Sequence, residues 1–374
     1  MGDGIVSSAV PMASPRRPPP ARTMPLAPWL RRNLFGNVGN AILTGLAVWA
    51  LAVTLPGLIR WAVVDAVWSS HDPKACREAA GACWAVVAEK HRVMLFGTFP
   101  YDQHWRAMLA VAIVLALMVV SALRRFWSYR LCAAWVIAAA AVLILMLGGV
   151  FGLEPIGTHQ WGGLPLTLLL FVGTIIGGMP AAILLALGRR SSLPAVRALC
   201  TGFIEIVRGV PLIAILFMAS LMIPLFMPEG VSVDKVLRAQ IGMIAFFAAY
   251  AAEIVRGGLQ AIPREQYEAA DAIGLGYRQS MTRIILPQAL AITLPALMND
   301  IIRAFKNTTF VSIIGLFDVL RATSTAIQDP VWTLFATEAY LFIALLYFAF
   351  CFTLSRYAAH IERGLAMGGR HEHG

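Results

Sequence analysis

The sequence predicts an all-α integral membrane protein, and two observations support this fold class. Of the 374 residues, 59% are apolar and 13% are charged, whereas a soluble domain has about 45–50% apolar and about 25% charged residues. The charged residues are concentrated in short stretches between long apolar runs. Peptide groups in such runs find no water inside a bilayer, so each run must satisfy its own hydrogen bonds as an α-helix.

Residues 1–30 contain seven of the 21 prolines and no apolar run long enough to cross a membrane. This composition is typical of a flexible chain. We therefore expect residues 1–30 to be a disordered tail and the first spanning helix to act as its own insertion signal.

Eight later segments are long and apolar enough to cross a bilayer, which takes roughly 17–25 residues. The predicted spans are 41–58, 108–123, 131–150, 164–187, 210–227, 239–255, 288–310 and 334–354. The second and sixth are short, and polar residues interrupt the seventh, so six or seven spans are the alternatives. The sequence thus predicts about eight transmembrane helices.

Lysines and arginines predict the orientation, because they accumulate in cytoplasmic loops. With the N-terminus inside, 19 of the 30 basic residues fall in cytoplasmic segments and nine in outside segments. We therefore expect both termini in the cytoplasm. Because the basic residues flank spans, the net charge of +10 does not indicate a nucleic-acid partner.

The loop 59–107 is the main segment outside the membrane. It contains four tryptophans, which favour membrane interfaces, and the pair Cys76 and Cys83. An oxidising compartment would permit a disulfide between these cysteines. Two free thiols are the alternative.

Sequence motifs for chemistry are missing from the chain. It contains no Gly-Lys pair, and therefore no phosphate-binding G-x-x-x-x-G-K-[ST] loop, and no H-E-x-x-H or G-x-S-x-G motif. We therefore expect no catalytic residue, no metal site and no cofactor bound by this chain.

The stretch from Tyr267 to Pro287 reads YEAADAIGLGYRQSMTRIILP and follows the sixth span. Small residues open a short helix, and Gly274 or Gly276 permits a left-handed turn after it. A second short helix is expected from about Tyr277, and Pro287 marks the return to the membrane. Such a helix-turn-helix suits insertion into a groove of a partner protein. An amphipathic linker is the alternative.

The same stretch carries the complete E-A-A-x3-G-x9-I-x-L-P signature of permease subunits of binding-protein-dependent ABC importers. Its defined positions are Glu268, Ala269, Ala270, Gly274, Ile284, Leu286 and Pro287. The stretches QWGGLPLTL, IEIVRGVPLI, EIVRGGLQAIPREQYEAA and LPQAL resemble the polar amino acid permeases of this class. The resemblance covers residues 160–356. The long form, with three additional spans, resembles the M-type permease of general L-amino acid importers in Gram-negative bacteria.

This resemblance implies a five-helix permease core at residues 156–360, preceded by three additional helices at 31–155 and followed by a cytoplasmic tail at 361–374. The segment 262–287 would be the coupling loop that docks into the ATPase. The implied partners are a cytoplasmic ABC ATPase dimer, which binds ATP and Mg²⁺, a second homologous permease, a periplasmic amino acid binding protein and membrane lipid. The implied location is the bacterial inner membrane, and the chain itself would not be an enzyme.

The seventh predicted span contains charged and polar residues, which are costly inside a membrane and often functional. They are Asp300, Arg303, Lys306, Asn307, Thr308 and Thr309. At 100° per residue, Asp300, Arg303 and Asn307 share one stripe of the helix, with Lys306 at its edge. We name these three residues the polar stripe. It is predicted to line the substrate pathway, unless Asp300 and Arg303 merely neutralise each other or Arg303 extends to the interface.

The stretch Lys306 to Thr309 resembles a K-[DN]-[ST]-[ST] element of the same permeases, with Asn307 where Asp is frequent. Charge at this position therefore says little about the substrate. The pairs Glu205/Arg208 and Glu253/Arg256 are three residues apart, which favours local helix pairs over substrate ligands. The alternative function is an amino acid transporter driven by an ion gradient, which would have inverted repeats.

Overall fold

The computed structural model describes residues 25–70, 72–230 and 232–368, and its regular elements are almost all helices. In chain order they are α1 (Leu26–Leu34), α2 (Val38–Ile59), α3 (Pro73–Glu78), α4 (Ala85–Phe96), α5 (His104–Ala122), α6 (Tyr129–Leu147), α7 (Gly163–Arg189), α8 (Pro194–Gly209), α9 (Leu212–Phe217), α10 (Ile223–Leu225), α11 (Lys235–Ala261), α12 (Arg264–Ala272), α13 (Tyr277–Ser280), α14 (Leu286–Asn307), α15 (Val319–Ala326) and α16 (Ala336–Gly368). A two-residue strand, β1 (Phe317–Asp318), precedes α15.

The chain divides into two units after Ala66. The first unit contains α1 and α2, and the Asn37 side chain caps α2 by accepting a hydrogen bond from the Asn40 backbone N–H at 2.7 Å. A π-helical turn, Arg60–Val64, extends α2. Helix α1 begins at Leu26, inside the segment predicted to be a disordered tail, whereas residues 1–24 lie outside the described residues.

The described residues include seven helical segments that are long and apolar enough to cross a membrane, plus one bent helix pair. The seven are Val38–Val64, Tyr101–Ala122, Tyr129–Leu147, Gly163–Arg189, Lys235–Ala261, Tyr277–Ile314 and Thr333–Arg363. Each contains most or all of one predicted span. The all-α membrane fold is therefore confirmed. The predicted tail 361–374 begins within α16, which continues to Gly368.

The fifth predicted span, 210–227, differs from the structure. Helix α8 and the segment Leu212–Leu225 form a pair bent by 110°, and the second arm is shorter than the roughly 17 residues that a crossing needs. Val210 precedes Pro211, which disfavours helical backbone at Val210. Its ψ is 137°, so the chain turns there instead of continuing α8.

Helix α7 packs along α11 in the centre of the second unit, and α14 packs against α11. Glycines of α7 allow α7 and α11 to approach each other closely. A Cβ at Gly177 would lie 2.7 Å from the Ile244 side chain, and one at Gly178 would lie 2.6 Å from Phe247. Close approach at small residues is a usual way for membrane helices to associate. These three helices form the scaffold of the candidate site.

Residues 67–70 and 72–100 lie at one end of the second unit, which we call the disulfide end. Cys76 and Cys83 form a disulfide with a Cα–Cα distance of 5.4 Å, so the first of the two alternatives holds. The Cys83 backbone N–H donates to the Glu338 carboxylate at 2.9 Å, and Lys90 pairs with Asp329 at 2.8 Å. The segment is thereby attached to residues that lie far along the chain.

Arg106 fixes α5 at the same end and is completely buried. Its guanidinium donates to the carbonyl oxygens of Leu145 at 2.7 Å and Glu154 at 2.9 Å. A planar guanidinium reaches two acceptors in fixed directions. Arg106 therefore ties α5 to the end of α6 and to the chain that follows it.

Candidate functional site

The segment 262–287 lies at the opposite end of the second unit, which we call the coupling-loop end. Helix α12 ends in a Schellman motif: the Leu275 N–H donates to the Ala270 carbonyl at 3.1 Å and the Gly274 N–H to the Asp271 carbonyl at 2.9 Å. Gly274 has φ of +76°, which glycine adopts without steric cost. The left-handed turn is therefore at Gly274. Helix α13 begins at Tyr277, as predicted.

The signature residues differ in exposure. Glu268, Ala269 and Gly274 are exposed, whereas Ala270 is buried against the chain itself. Ile284 and Leu286 are half-buried and Pro287 is exposed. The role of these residues in docking stays a prediction, but Ala270 faces away from the exposed surface of α12.

Two large apolar side chains extend that exposed surface, and the spacing of the signature did not identify them. Ile273 is 72% exposed and Tyr277 is 70% exposed. Together with Glu268, Ala269 and Gly274 they form what we call the coupling surface. Exposed apolar groups beside a carboxylate are typical of a protein interface.

Hydrogen bonds connect helix α12, which carries most of the coupling surface, to the membrane helices. Arg190, directly after α7, donates to the Leu259 carbonyl at 3.0 Å and to the Tyr267 hydroxyl at 3.4 Å. The Tyr267 hydroxyl also donates to Leu259 at 3.2 Å. The Gln288 amide of α14 donates to Gln266 at 3.3 Å. Helix α12 is thus attached to α7, α11 and α14.

A network of ion pairs lies beside this connection. Arg189 of α7 pairs with Glu205 of α8 at 2.8 Å and with Glu253 of α11 at 3.1 Å. Glu253 also pairs with Arg256. The Glu253/Arg256 pair was predicted as local, but Arg189 joins it to two other helices. The network therefore holds α7, α8 and α11 together at the coupling-loop end.

The polar stripe on α14 borders a small cavity beside α7, α9 and α11. Asp300 is 4% exposed and forms an ion pair with Arg303, and Asn307 lines the same small cavity. Lys306 is exposed. The hydroxyls of Thr308 and Thr309 donate to carbonyls three residues earlier, where α14 gives way to a 3₁₀ turn. The structure brings together the three stripe residues and leaves the other three out of the cavity.

The cavity at the polar stripe has a volume of about 10 Å³ and is otherwise lined by Thr174 of α7 and by apolar side chains of α9, α11 and α14. This is space for about one water molecule. The stripe is not sealed off, because the Arg303 side chain is 43% exposed. The Arg303 guanidinium lies 4.2 Å from the ring centre of Tyr250, and Arg208 lies 5.6 Å from it. Sequence spacing does not show Tyr250, because cation–π contacts between helices leave no local pattern.

The disulfide end closes over the start of α7. Gly162 and Gly163 form isolated β-bridges with Phe317 and Asp318, and the Val319 N–H donates to the Thr167 hydroxyl at 3.2 Å. A Cβ on Gly163 would lie 2.1 Å from the Leu95 carbonyl oxygen. The chain therefore approaches α7 here from two sides. Nothing in the sequence predicted this closure.

Asp318 caps α15 within this closure. Its carboxylate accepts hydrogen bonds from the N–H groups of Arg321 at 3.0 Å and Leu320 at 3.1 Å. Burial raises the pKa of Asp318 to about 6, while these hydrogen bonds and the charge of Arg321 lower it. Desolvation outweighs the cap because the side chain is fully buried.

The chain is similar to known proteins along most of its length. Residues 178–367 match the family "Binding-protein-dependent transport system inner membrane component". The chain is 46% identical to the inner membrane amino-acid ABC transporter permease protein YhdY of Escherichia coli (strain K12), covering 96% of this chain and 98% of that protein. It is 37% identical to the glutamate/glutamine/aspartate/asparagine transport system permease protein BztC of Rhodobacter capsulatus, covering 93% and 96%.

A solved structure described as an amino acid ABC transporter with histidines is 30% identical to the chain. The match covers 53% of this chain and 89% of the solved chain, with a TM-score of 0.47.

Proposed function

Because the chain belongs to the family of binding-protein-dependent transport system inner membrane components, we propose that it is the permease subunit of an ATP-driven importer of L-amino acids. The observation that carries this proposal is the near full-length similarity to two amino acid permeases. The complete signature of segment 262–287 and its exposed position support it. We propose that ATP hydrolysis takes place on a separate subunit, because the chain has no phosphate-binding motif.

The coupling surface is the proposed contact with that ATPase. Glu268 lies on α12 with its side chain exposed, so a partner cation can pair with it. Ile273 and Tyr277, which are both exposed, would supply apolar area to that interface. An amphipathic linker would expose the same side chains, so loss of the ATPase on mutation of the coupling surface is what distinguishes the two.

The remaining assembly follows from the same family. We propose a dimer of ATPase subunits that holds ATP and Mg²⁺, a second homologous permease that completes the pathway, and a periplasmic binding protein that delivers the amino acid. We propose that the coupling-loop end faces the cytoplasm and the disulfide end the periplasm, with both termini cytoplasmic. The disulfide supports this orientation, since such bonds persist in the periplasm.

The polar stripe is the proposed substrate pathway. Asp300, Arg303 and Asn307 offer a carboxylate, a guanidinium and an amide at one place, which suits the ammonium and carboxylate of an amino acid. The cavity of about 10 Å³ within this chain admits no amino acid. The pathway would therefore lie where the exposed part of Arg303 faces the second permease.

Co-purification tests the assembly. A tagged chain solubilised from native membranes is expected to retain an ABC ATPase and a second permease. Glu268→Lys reverses a charge in the coupling surface and is expected to lose the ATPase. Glu362→Lys is the matched control, because Glu362 is also exposed but lies on α16, outside the coupling surface.

Equal retention of the ATPase by both variants would refute the role of Glu268. A wild-type chain that purifies alone and carries amino acids into vesicles without ATP would refute the importer itself and favour transport driven by an ion gradient.

Uptake by reconstituted complexes tests the pathway. Asn307→Ala is expected to reduce amino acid uptake, whereas Lys306→Ala is the neighbouring control outside the cavity. The double variant Asp300→Asn/Arg303→Gln removes both charges together, so no unpaired charge stays buried. Normal uptake by the Asn307 variant and the double variant would make the stripe structural.

A further inference from the structure

Tyr250 contacts two arginines that come from two other helices. It lies near the middle of α11 and is half-buried. Its ring centre is 4.2 Å from the Arg303 guanidinium of α14 and 5.6 Å from that of Arg208, in the last turn of α8. The Tyr250 hydroxyl donates to the Arg208 carbonyl at 3.3 Å. One side chain therefore joins α8, α11 and α14 beside the polar stripe.

The hydroxyl and the ring of Tyr250 make different contacts. Helix α8 ends where the chain bends by 110°, and the carbonyls of a last helical turn have no partner within their own helix. The hydroxyl supplies a donor to one of these carbonyls. The ring contacts the two cations, which an aromatic face attracts electrostatically. Phenylalanine would keep the ring and lose the hydroxyl, so one substitution separates the two contacts.

Arg303 keeps part of its guanidinium open. The side chain of Asp300, its partner in the ion pair, is 3% exposed, whereas the Arg303 side chain is 43% exposed. The Asp300 carboxylate and the Tyr250 ring both contact this guanidinium. Because a guanidinium carries five N–H donors in a rigid fork, donors remain for a further acceptor. Such a fork binds a carboxylate through two parallel hydrogen bonds.

The charges around Tyr250 do not balance. Among the described residues, Arg208 forms no salt bridge, and its buried Nε has no hydrogen-bond partner. The two carboxylates of the network that joins α7, α8 and α11 are matched by two arginines of that network. Asp300 is left as the counter-charge for both Arg208 and Arg303. The excess of one positive charge favours an anion at this place.

From these contacts we propose that Tyr250 is a positioning residue, which holds the guanidiniums of Arg303 and Arg208 together as the binding site for the α-carboxylate of the transported amino acid. This role rests on the proposed function of the polar stripe as the substrate pathway. Every amino acid carries this carboxylate, so the site orients the substrate without selecting its side chain. The ring attracts both cations, which offsets part of their mutual repulsion before the substrate arrives.

Uptake per ATP hydrolysed by reconstituted complexes tests the role of the ring, with each L-amino acid that the wild type carries as a probe. Tyr250→Phe keeps the ring and is expected to transport like the wild type. Tyr250→Leu is expected to lower uptake of every probe by about five- to thirty-fold, the loss that corresponds to a partly buried cation–π contact. Tyr340→Leu is the matched control, because Tyr340 is exposed on α16, outside the polar stripe.

The two Tyr250 variants both lose the hydroxyl and differ in the ring. Equal uptake by Tyr250→Phe and Tyr250→Leu would therefore overturn the role of the ring. A loss confined to amino acids with one kind of side chain would overturn the assignment to the α-carboxylate. The amount of co-purified ATPase is expected to stay unchanged in Tyr250→Leu. Loss of the ATPase in proportion to uptake would show that the ring only packs the helices together, which also overturns the proposal.

A second variant tests the site if Tyr250→Leu does not accumulate. Arg208→Gln removes the cation that has no carboxylate partner and is expected to lower uptake per ATP by about ten-fold. Arg197→Gln, exposed on the same helix, is expected to keep uptake unchanged. Equal uptake by these two variants would overturn the two-arginine site. Normal uptake by Asn307→Ala and by Asp300→Asn/Arg303→Gln would instead refute the pathway itself, so the two failures are distinguishable.

Discussion

A Cβ atom added at Gly274 is expected to destabilise the left-handed turn that shapes the coupling surface. A Cβ added there meets nothing within 4 Å, but φ is +76°. The cost of Gly274→Ala is therefore a backbone cost, about 1–2 kcal/mol for an L-residue in the left-handed region. If the turn must form before docking, affinity for the ATPase falls by up to about five- to thirty-fold.

Gly276 provides the matched control. It lies two residues further along, has open space around its Cα, and has φ of −66°. Gly276→Ala is therefore expected to leave docking unchanged. Gly274→Asn is expected to lie between the wild type and Gly274→Ala, because asparagine tolerates left-handed backbone better than alanine. Gly274→Asp has nearly the same shape as Gly274→Asn, so any further loss reports the added charge.

The assay is ATP-driven amino acid uptake by reconstituted complexes, measured together with ATP hydrolysis and with the amount of ATPase bound. The expected order of uptake is wild type, Gly274→Asn, then Gly274→Ala, with Gly276→Ala equal to the wild type. If Gly274→Ala and Gly276→Ala are indistinguishable, the left-handed turn is not required and the argument from φ fails.

Three other predictions concern the disulfide end. Cys76→Ser is expected to destabilise residues 67–100 by about 2 kcal/mol and to speed their limited proteolysis; unchanged proteolysis would contradict this. Arg106→Lys cannot reproduce the two-directional hydrogen bonding and is expected to cost about 2 kcal/mol, seen as a lower melting temperature in detergent. The pKa of Asp318, raised to about 6, means that the folded chain holds this proton more tightly than the unfolded chain. Its stabilising contribution is therefore complete below about pH 4 and lost as the pH rises to about 6. Asp318→Asn, which keeps an acceptor for the cap, is expected to lose less melting temperature between pH 4.5 and pH 7 than the wild type.

The sequence predicted features that depend on local order. Seven of the eight spans follow from apolar length alone, and the turn and second helix of the coupling loop follow from Gly274 and the residues around it. The polar stripe follows from helical periodicity. Each of these features depends on residues within a few helical turns of one another, and over that distance the sequence spacing determines which side of the helix each side chain is on.

Features that join distant segments could not be read in the same way. Hydropathy averaged over a window does not show the direction of the chain, so the bend before Pro211 was not predicted. The bond between Cys83 and Glu338 joins positions 255 residues apart. The signature also does not show which side of α12 is covered, since the burial of Ala270 depends on the helices beneath it.

Helix α7 connects the two ends at which an importer must change shape. It is 27 residues long, or about 40 Å, and is packed along α11. At the coupling-loop end, Arg190 attaches it to Tyr267 of the loop. At the disulfide end, Gly163 bridges to Asp318. A rigid, packed helix can carry coupling between distant sites. We therefore expect a displacement of α12 to reach the β-bridges through α7.

Helix α4, within residues 67–100, packs beside the β-bridges between α7 and β1 at the disulfide end. Helix α4 packs against both α7 and α15, and Lys90 of α4 pairs with Asp329 beyond α15. Separation of α7 from β1 therefore requires that α4 either leave α7, leave α15 or bend with both. The Lys90–Asp329 ion pair is partly exposed and contributes little by itself. Most of the free energy needed to separate α7 from β1 is therefore expected to come from the apolar contacts of α4. The described residues of 67–100 thus stabilise the closed arrangement at the disulfide end, and shortening this segment should make that arrangement less stable.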